Sequence, residues 1–299
     1  MPLIDFAGNL EEIERCTCLY DGFSEAAPFV EEVYSIADQF FKEYPVAPLP
    51  AADREESEAR IRKGESLALN PKLKNSEVVE LLKRLTAALV KANPELKDAA
   101  LEMVERIDSF AAERSDQISK EEVFELKDLL IKETTLEQDM ATFLFSIVLS
   151  SFYRQQLALT AEILRTDLYE GGDCPLCGEK PHYGMLRPED GAKVLDCWLC
   201  GTNWVHTRIK CPYCDNTGMD DLGYFTLENK ENCRINFCKK CCQYYKIIDA
   251  RKFGADGDMH LAIHNLASLS HDLMARKEGF APGSAMEWVN EKEIVDTQD

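Results

Sequence analysis

Apolar residues return every three or four positions along the first half of the chain; along the second they come in short runs broken by Cys-x-x-Cys pairs. The two rhythms predict two kinds of structure. Phe29, Val33, Ile36 and Phe40 share one helical face, as do Val78, Leu81, Leu82, Leu85 and Leu89, because residues three and four apart project from the same side of a helix. Asn93 before Pro94 reads as the cap of a further helix, with Leu101, Val104 and Ile107 as its stripe. Ser119 and Glu122 have capping-box spacing ahead of Val123, Leu126, Leu129 and Leu130. The longest predicted helix runs from about Thr135 to Tyr169, and its centre, from Met140 to Tyr153, is apolar almost all round. Those 14 residues, bounded by Glu137, Asp139 and Arg154, fall short of the roughly 20 that span a bilayer. They predict the buried central helix of an all-α domain and no membrane insertion.

Gly171-Gly172-Asp173 breaks the helical pattern and leads straight into Cys174. Beyond it the predicted elements are short strands. His182 to Leu186 and Lys193 to Cys197 flank a Pro188–Gly191 turn, and Leu222 to Leu227 and Arg234 to Phe237 flank a polar turn at 228–232. The expected fold is α plus small β. An acidic all-helical domain over 1–170 precedes two tandem four-cysteine modules of rubredoxin-like or zinc-ribbon type, over 171–208 and 209–250, and a C-terminal helix and tail over 251–299.

The cysteines supply the candidate chemistry. Cys174/Cys177, Cys197/Cys200, Cys211/Cys214 and Cys238/Cys241 are each Cys-x-x-Cys. Two intervening residues let the chain turn so that both sulfurs face one cation, and a second such pair completes a tetrahedron. The 19 residues from Cys177 to Cys197 and the 23 from Cys214 to Cys238 each suit a hairpin joining two such knuckles. Sequential assignment gives Cys174, Cys177, Cys197 and Cys200 to one metal and Cys211, Cys214, Cys238 and Cys241 to a second. Spacing alone leaves an interleaved pairing open, and it does not separate Cys241 from its neighbour Cys242. The flanks lack the βαβ context of a thioredoxin motif, and the acidic start MPLIDFAGNLEEIER is unlike a secretory signal. A reducing, cytosolic compartment and thiolate ligation are therefore expected rather than disulfides. Four-thiolate tetrahedra accept Fe or Zn and have no open position for a substrate, which disfavours hydrolytic metal chemistry. No phosphate loop or nucleophile motif suggests another catalytic site.

Charge narrows the partners. The formal net charge is −20, concentrated in the first 170 residues and the tail, while 171–251 is nearly balanced. A polyanion would be repelled. Nucleic-acid binding by the ribbons is thus disfavoured.

The residues between the cysteines carry a resemblance. CPLCGEKP from Cys174, LDCWLCGTNWVHTRIKCPYC from Leu195, NFCKKCCQYYK from Asn236 and NLASLSHDL from Asn265 resemble the FdhE family of formate dehydrogenase accessory proteins. Cys197, Cys200, Thr202, Trp204, Arg208, Lys210, Cys211, Cys214, Cys238, Cys241, Tyr244 and Lys246 fall on that family's motif positions. The similarity spans about Cys174 to Gly283; the first 170 residues match only in being helical and in length. The resemblance implies a cytoplasmic, non-enzymatic factor with rubredoxin-like metal centres. Such a factor binds the molybdenum- or tungsten-containing catalytic subunit of formate dehydrogenase and assists its maturation before twin-arginine export. The family register, with Tyr three residues after the last ligand, selects Cys241 over Cys242. One departure is His264-Asn265, where the family usually carries an acidic pair.

The remaining candidates read as structural. Cys16, Cys18, Cys233 and Cys242 are extra thiols rather than ligands. His182 and His206 belong to strand or surface positions; His260 and His264, near His271, lack the Glu of a His-Glu-x-x-His site. Asp272 is expected to hold the C-terminal helix against the ribbons, and Trp204 and Tyr244 to pack round the sulfurs. The alternatives to an accessory factor are an electron-transfer protein with two rubredoxin-like irons and a zinc-ribbon nucleic-acid binder.

Overall fold

A computed structural model of the chain describes residues 6–227, 232–252 and 259–283. The helical half comprises α1 (Phe6–Leu19), α2 (Phe23–Glu43), α3 (Arg54–Ile61), α4 (Asn75–Ala92), α5 (Lys97–Ala112), α6 (Lys120–Glu133) and α7 (Gln138–Ile163). Two short strands, β1 (Leu73–Lys74) and β2 (Gln117–Ile118), pair antiparallel among them. The cysteine-rich half contains β3 (Tyr183–Leu186), β4 (Lys193–Asp196), β5 (Asn203–His206), β6 (Leu222–Phe225), β7 (Cys233–Cys238) and β8 (Gln243–Asp249). After these come α8 (Leu261–Ala267), α9 (Leu269–Lys277) and β9 (Ala281–Pro282). The chain forms two compact units, one from the described residues up to Leu49 with Asn70–Ala158, the other from Pro50–Leu69 with the described residues from Leu159 onward.

In the helical unit the predicted stripes become the core. Val78, Leu81, Leu82, Leu85 and Leu89 of α4 are all buried, and Phe41 meets Phe152 of α7 edge to face at 5.1 Å. Leu144, Phe145, Val148, Leu149, Phe152 and Tyr153 are wholly buried, which explains why α7 is apolar on every side. It ends earlier than expected, with a 3-10 turn at Thr166–Leu168 following. No helix among the described residues is long and apolar enough to cross a membrane. Ser119 and Glu122 close the capping box on α6. On α5 the predicted stripe is displaced: Leu101 is 56% exposed, and the buried face is Ala99, Ala100, Met103, Ile107 and Phe110. Ile107 belongs to both faces by spacing, and packing of α5 against α4 and α6 sets the rotation.

In the second unit the two ribbons share one seven-stranded sheet, ordered β5-β4-β3-β8-β7-β6 with β9 beside β8. Each predicted hairpin gains a third strand after its last knuckle, β5 in the first ribbon and β8 in the second. The ribbons join where β3 runs parallel to β8, Tyr183 opposite Lys246 through Leu186 opposite Asp249. Parallel neighbours need a long crossover, and here the intervening strands and knuckles provide it. β9 pairs with Gln243 and Tyr244, the start of β8 that β3 leaves uncovered. The expected C-terminal helix is two helices, broken at Ser268, whose hydroxyl donates to the His264 carbonyl at 2.7 Å. α9 covers Ile235 and Tyr244 with Ala275, and Phe237 stacks on Phe280 at 4.6 Å. Residues 228–231 of the second hairpin turn lie outside the described residues.

Candidate metal centres

Each knuckle is built the same way. After the second cysteine the backbone takes a left-handed turn, at Gly178 (φ 78°), Gly201 (φ 71°), Asp215 (φ 58°) and Cys242 (φ 55°). At the first three knuckles this turn lets the N–H of that residue return to the carbonyl of the first cysteine, from Gly178 to Cys174, Gly201 to Cys197 and Asp215 to Cys211, at 2.9–3.1 Å. Glycine meets that requirement without strain at the first two. At the fourth, Cys242 occupies the turn position with its side chain exposed. Its sulfur is not among the four that converge in the second cluster.

The turns bring the sulfurs together in the sequential arrangement. Cys174 Sγ lies 3.5 Å from Cys200 Sγ, and Cys177 Sγ 3.5 Å from Cys197 Sγ. In the second cluster Cys211 and Cys241 are 3.7 Å apart, as are Cys214 and Cys238. Within each cluster all four sulfurs lie within 4.8 Å of one another. Four sulfurs placed tetrahedrally about 2.3 Å from a zinc ion would be spaced by about 3.8 Å. Either cluster could therefore hold one metal ion with little rearrangement.

The clusters differ in exposure and support. All four cysteines of the first are buried, whereas Cys214 and Cys241 of the second are half-buried. The first knuckle is held by an unpredicted segment: Leu67 N–H donates to the Pro175 carbonyl, Leu69 N–H to Leu176, and the Ser66 hydroxyl to Cys174. Nothing in the polar run around residue 66 signals this, because the partners lie 108 residues away. Thr202 Oγ1 is 3.2 Å from Cys200 Sγ, placed to donate to a thiolate. In the second cluster Tyr213 N–H points at Cys211 Sγ and Asn216 Nδ2 at Cys238 Sγ.

Electrostatics fit a cation at each cluster. Burial pushes the Cys177 and Cys197 thiols well above their ordinary range. Burial opposes ionisation of Cys200 too, but hydrogen bonds from the other three thiols and Thr202 bring it well below. Burial likewise lifts Cys211 to about 11; at Cys238 burial is outweighed by the N–H groups of Cys241 and Lys240 together with the Cys214 and Cys241 thiols, which lower it. A cation bound by four thiolates would displace to solvent the protons that burial keeps on these thiols, so binding releases protons and strengthens with pH.

Between the ribbons lies a buried polar cluster. Asp272 of α9 accepts from Lys246 Nζ at 2.6 Å and from the Tyr244 hydroxyl at 2.8 Å, with His182 Nε2 at 3.4 Å. Asp272 thereby ties α9 to β8 and to the residue before β3, and Tyr244 turns its hydroxyl to Asp272. Trp204 is buried opposite Leu195. His182 and His206 are buried, as are His264 and His271. The surface alternative for the ribbon histidines does not hold, because both are enclosed by the sheet and the elements packed on it. Cys16 and Cys233 are buried and Cys18 is exposed.

The fold and these clusters define a helical protein carrying a double cysteine ribbon with two four-thiol sites, each able to hold a metal. Residues 173–208 match the family described as "FdhE, central domain". A protein named "Protein FdhE homolog" from Aquifex aeolicus is 40% identical over 110 residues, covering 36% of this chain and 38% of its own. "Protein FdhE" from Salmonella paratyphi A is 28% identical over 208 residues, 68% of this chain and 63% of its own. The chain thus spans less than two thirds of either relative. The crystal structure of the FdhE protein from Pseudomonas aeruginosa shares the fold, with a TM-score of 0.60 over 98% of both chains at 19% identity. The chain is thus similar to FdhE proteins in its cysteine-rich segment and shares their fold.

Proposed function

We propose that this chain is a cytoplasmic accessory factor that binds the catalytic subunit of formate dehydrogenase and assists its maturation before export. Cys174, Cys177, Cys197 and Cys200 ligate one Fe or Zn ion, and Cys211, Cys214, Cys238 and Cys241 a second. The observation that carries this reading is the pair of four-thiol clusters at near-tetrahedral spacing within the motif-bearing sheet. Four thiolates fill a tetrahedron, so the ions have no position for substrate and serve binding and folding rather than catalysis. The net charge of −20 argues against nucleic acid as the partner and suits basic segments of a client.

The test is an anaerobic pull-down from the native host with metal analysis of the same sample. Recovery of a formate dehydrogenase catalytic subunit with about two metal ions per chain supports the reading. A metal-loaded chain that recovers no such subunit refutes the client assignment. Cys197→Ser and Cys238→Ser should each lose metal and client together, and Cys18→Ser neither.

A further inference from the structure

We infer that the two four-thiol sites load as one cooperative unit, coupled chiefly through Tyr213 and Lys193. This rests on the reading of both clusters as metal sites. Separate ribbons on a string would bind two ions independently. Here each ribbon supplies the groups that hold the other's knuckle.

Tyr213 lies inside the third knuckle, between Cys211 and Cys214, yet its hydroxyl reaches back to the first ribbon. It points at the carbonyls of Pro181 (2.8 Å) and Tyr244 (3.0 Å). Pro181 is four residues past the ligand Cys177, and Tyr244 three past Cys241. One phenol thus spans three of the four knuckles. Its neighbour Pro212 occupies the space over Gly172, two residues before Cys174: a Cβ at Gly172 would lie 1.9 Å from the Pro212 carbonyl oxygen. The approach to the first site is moulded on a knuckle of the second.

Support also runs the other way. Lys193 belongs to β4, within the first ribbon's hairpin, and its side chain is 1% exposed. Its ammonium donates to the carbonyl of Lys210 at 3.0 Å and to the Tyr245 hydroxyl at 3.0 Å, with the Arg208 carbonyl at 3.5 Å. Lys210 immediately precedes Cys211. The first ribbon therefore fixes the chain that enters the second site, and the parallel pairing of β3 with β8 fastens both hairpins together.

The energetic consequence follows from how small ribbons fold. Each is too short to hold a core without its metal, so metal binding supplies folding free energy. The first ion orders its own knuckles together with groups the other site needs. The second then binds a partly ordered site at lower entropic cost, and the coupling is reciprocal.

Native mass spectrometry of the full chain, made metal-free under reducing conditions and given one equivalent of Zn(II), reads this directly. The inference expects metal-free and two-zinc chains to dominate, with little one-zinc species. Cys197→Ser should weaken zinc at the second site by at least about tenfold, and Cys238→Ser should weaken the first by the same factor. Tyr213→Phe should still take two zinc ions in excess metal but build up the one-zinc species at one equivalent. Lys193→Met provides the same readout should Tyr213→Phe lose its circular dichroism spectrum. A dominant one-zinc species in the wild-type chain overturns the coupling and leaves the metal reading standing. Tyr213→Phe and Lys193→Met both loading like wild type overturn the assignment to these residues. A wild-type chain that takes no zinc in excess overturns the metal reading and the coupling together.

Discussion

Replacing Asp272 by asparagine tests whether the carboxylate between the ribbons is a structural lock. Lys246 is fully buried and Asp272 is 1% exposed, so neither charge is stabilised by water. The asparagine side chain is nearly the same size but presents no charge to an ammonium that sits 2.6 Å from the native carboxylate. The remaining hydrogen bonds of Lys246, to the Asn265 and Ser268 carbonyls, cannot neutralise it. Breaking one side of a buried pair costs about 3–5 kcal/mol. With a urea dependence of about 2 kcal/mol per molar, the unfolding midpoint of this unit should fall by about 2 M. Tryptophan fluorescence of the metal-loaded chain suits the assay, because Trp198 and Trp204 both lie in the ribbons. Lys246→Met combined with Asp272→Leu should recover most of the loss, since an apolar pair of similar volume leaves no orphaned charge. The acid dependence has a definite sign. Burial raises the Asp272 carboxyl, but the Lys246 ammonium and His182 outweigh it and hold it well below the usual carboxylate range. Its contribution is therefore complete above about pH 4 and is lost only as pH falls through the depressed folded value. A D272N midpoint within about 0.5 M of wild type, or a double variant as unstable as the single, would refute the lock.

Cys242→Gly should keep metal stoichiometry and raise stability by about 1 kcal/mol, because it relieves a left-handed turn at φ 55°; Cys241→Ser, one residue away, should lose a metal ion by elemental analysis. Ser119→Ala removes the capping-box oxygen and should cost the helical unit about 1 kcal/mol in denaturant unfolding. Burial, then Lys193, lowers His206 to about 3, so the unfolded chain binds the extra proton below about pH 6.5. Stability should fall by up to about 1.4 kcal/mol per pH unit as pH drops toward 3, and His206→Gln should flatten that slope when unfolding is compared at pH 7 and pH 5.

Local signals were legible wherever the physical cause was local. The capping box at Ser119 depends on a few neighbouring backbone groups, and the stripe of α4 on a period of 3.6 residues, so both could be read directly. The stripe of α5 could not, because Leu101 and Ile107 are equally apolar and only the neighbours of α5 decide which face is covered. The third strand of each ribbon was missed because β5 and β8 follow directly on cysteine knuckles, where turn signals mask a short strand. Ser66, Leu67 and Leu69 carried no signal at all. Their backbone groups are ordinary until Pro175 and Leu176 lie beside them.

The four Cys-x-x-Cys pairs by themselves named the candidate ligands, because two-residue spacing constrains the geometry of each pair wherever it folds. They did not determine which pairs meet. Tertiary structure decided that, by closing each hairpin on its own knuckles and so excluding the interleaved arrangement. It also decided that the ribbons form one sheet, since parallel pairing of β3 with β8 joins residues far apart in the chain, Tyr183 with Lys246 among them. Charge burial was settled at the same level: Lys246, Tyr244, His182 and Asp272 carry no signal apart in sequence and become a lock only when packing removes their water.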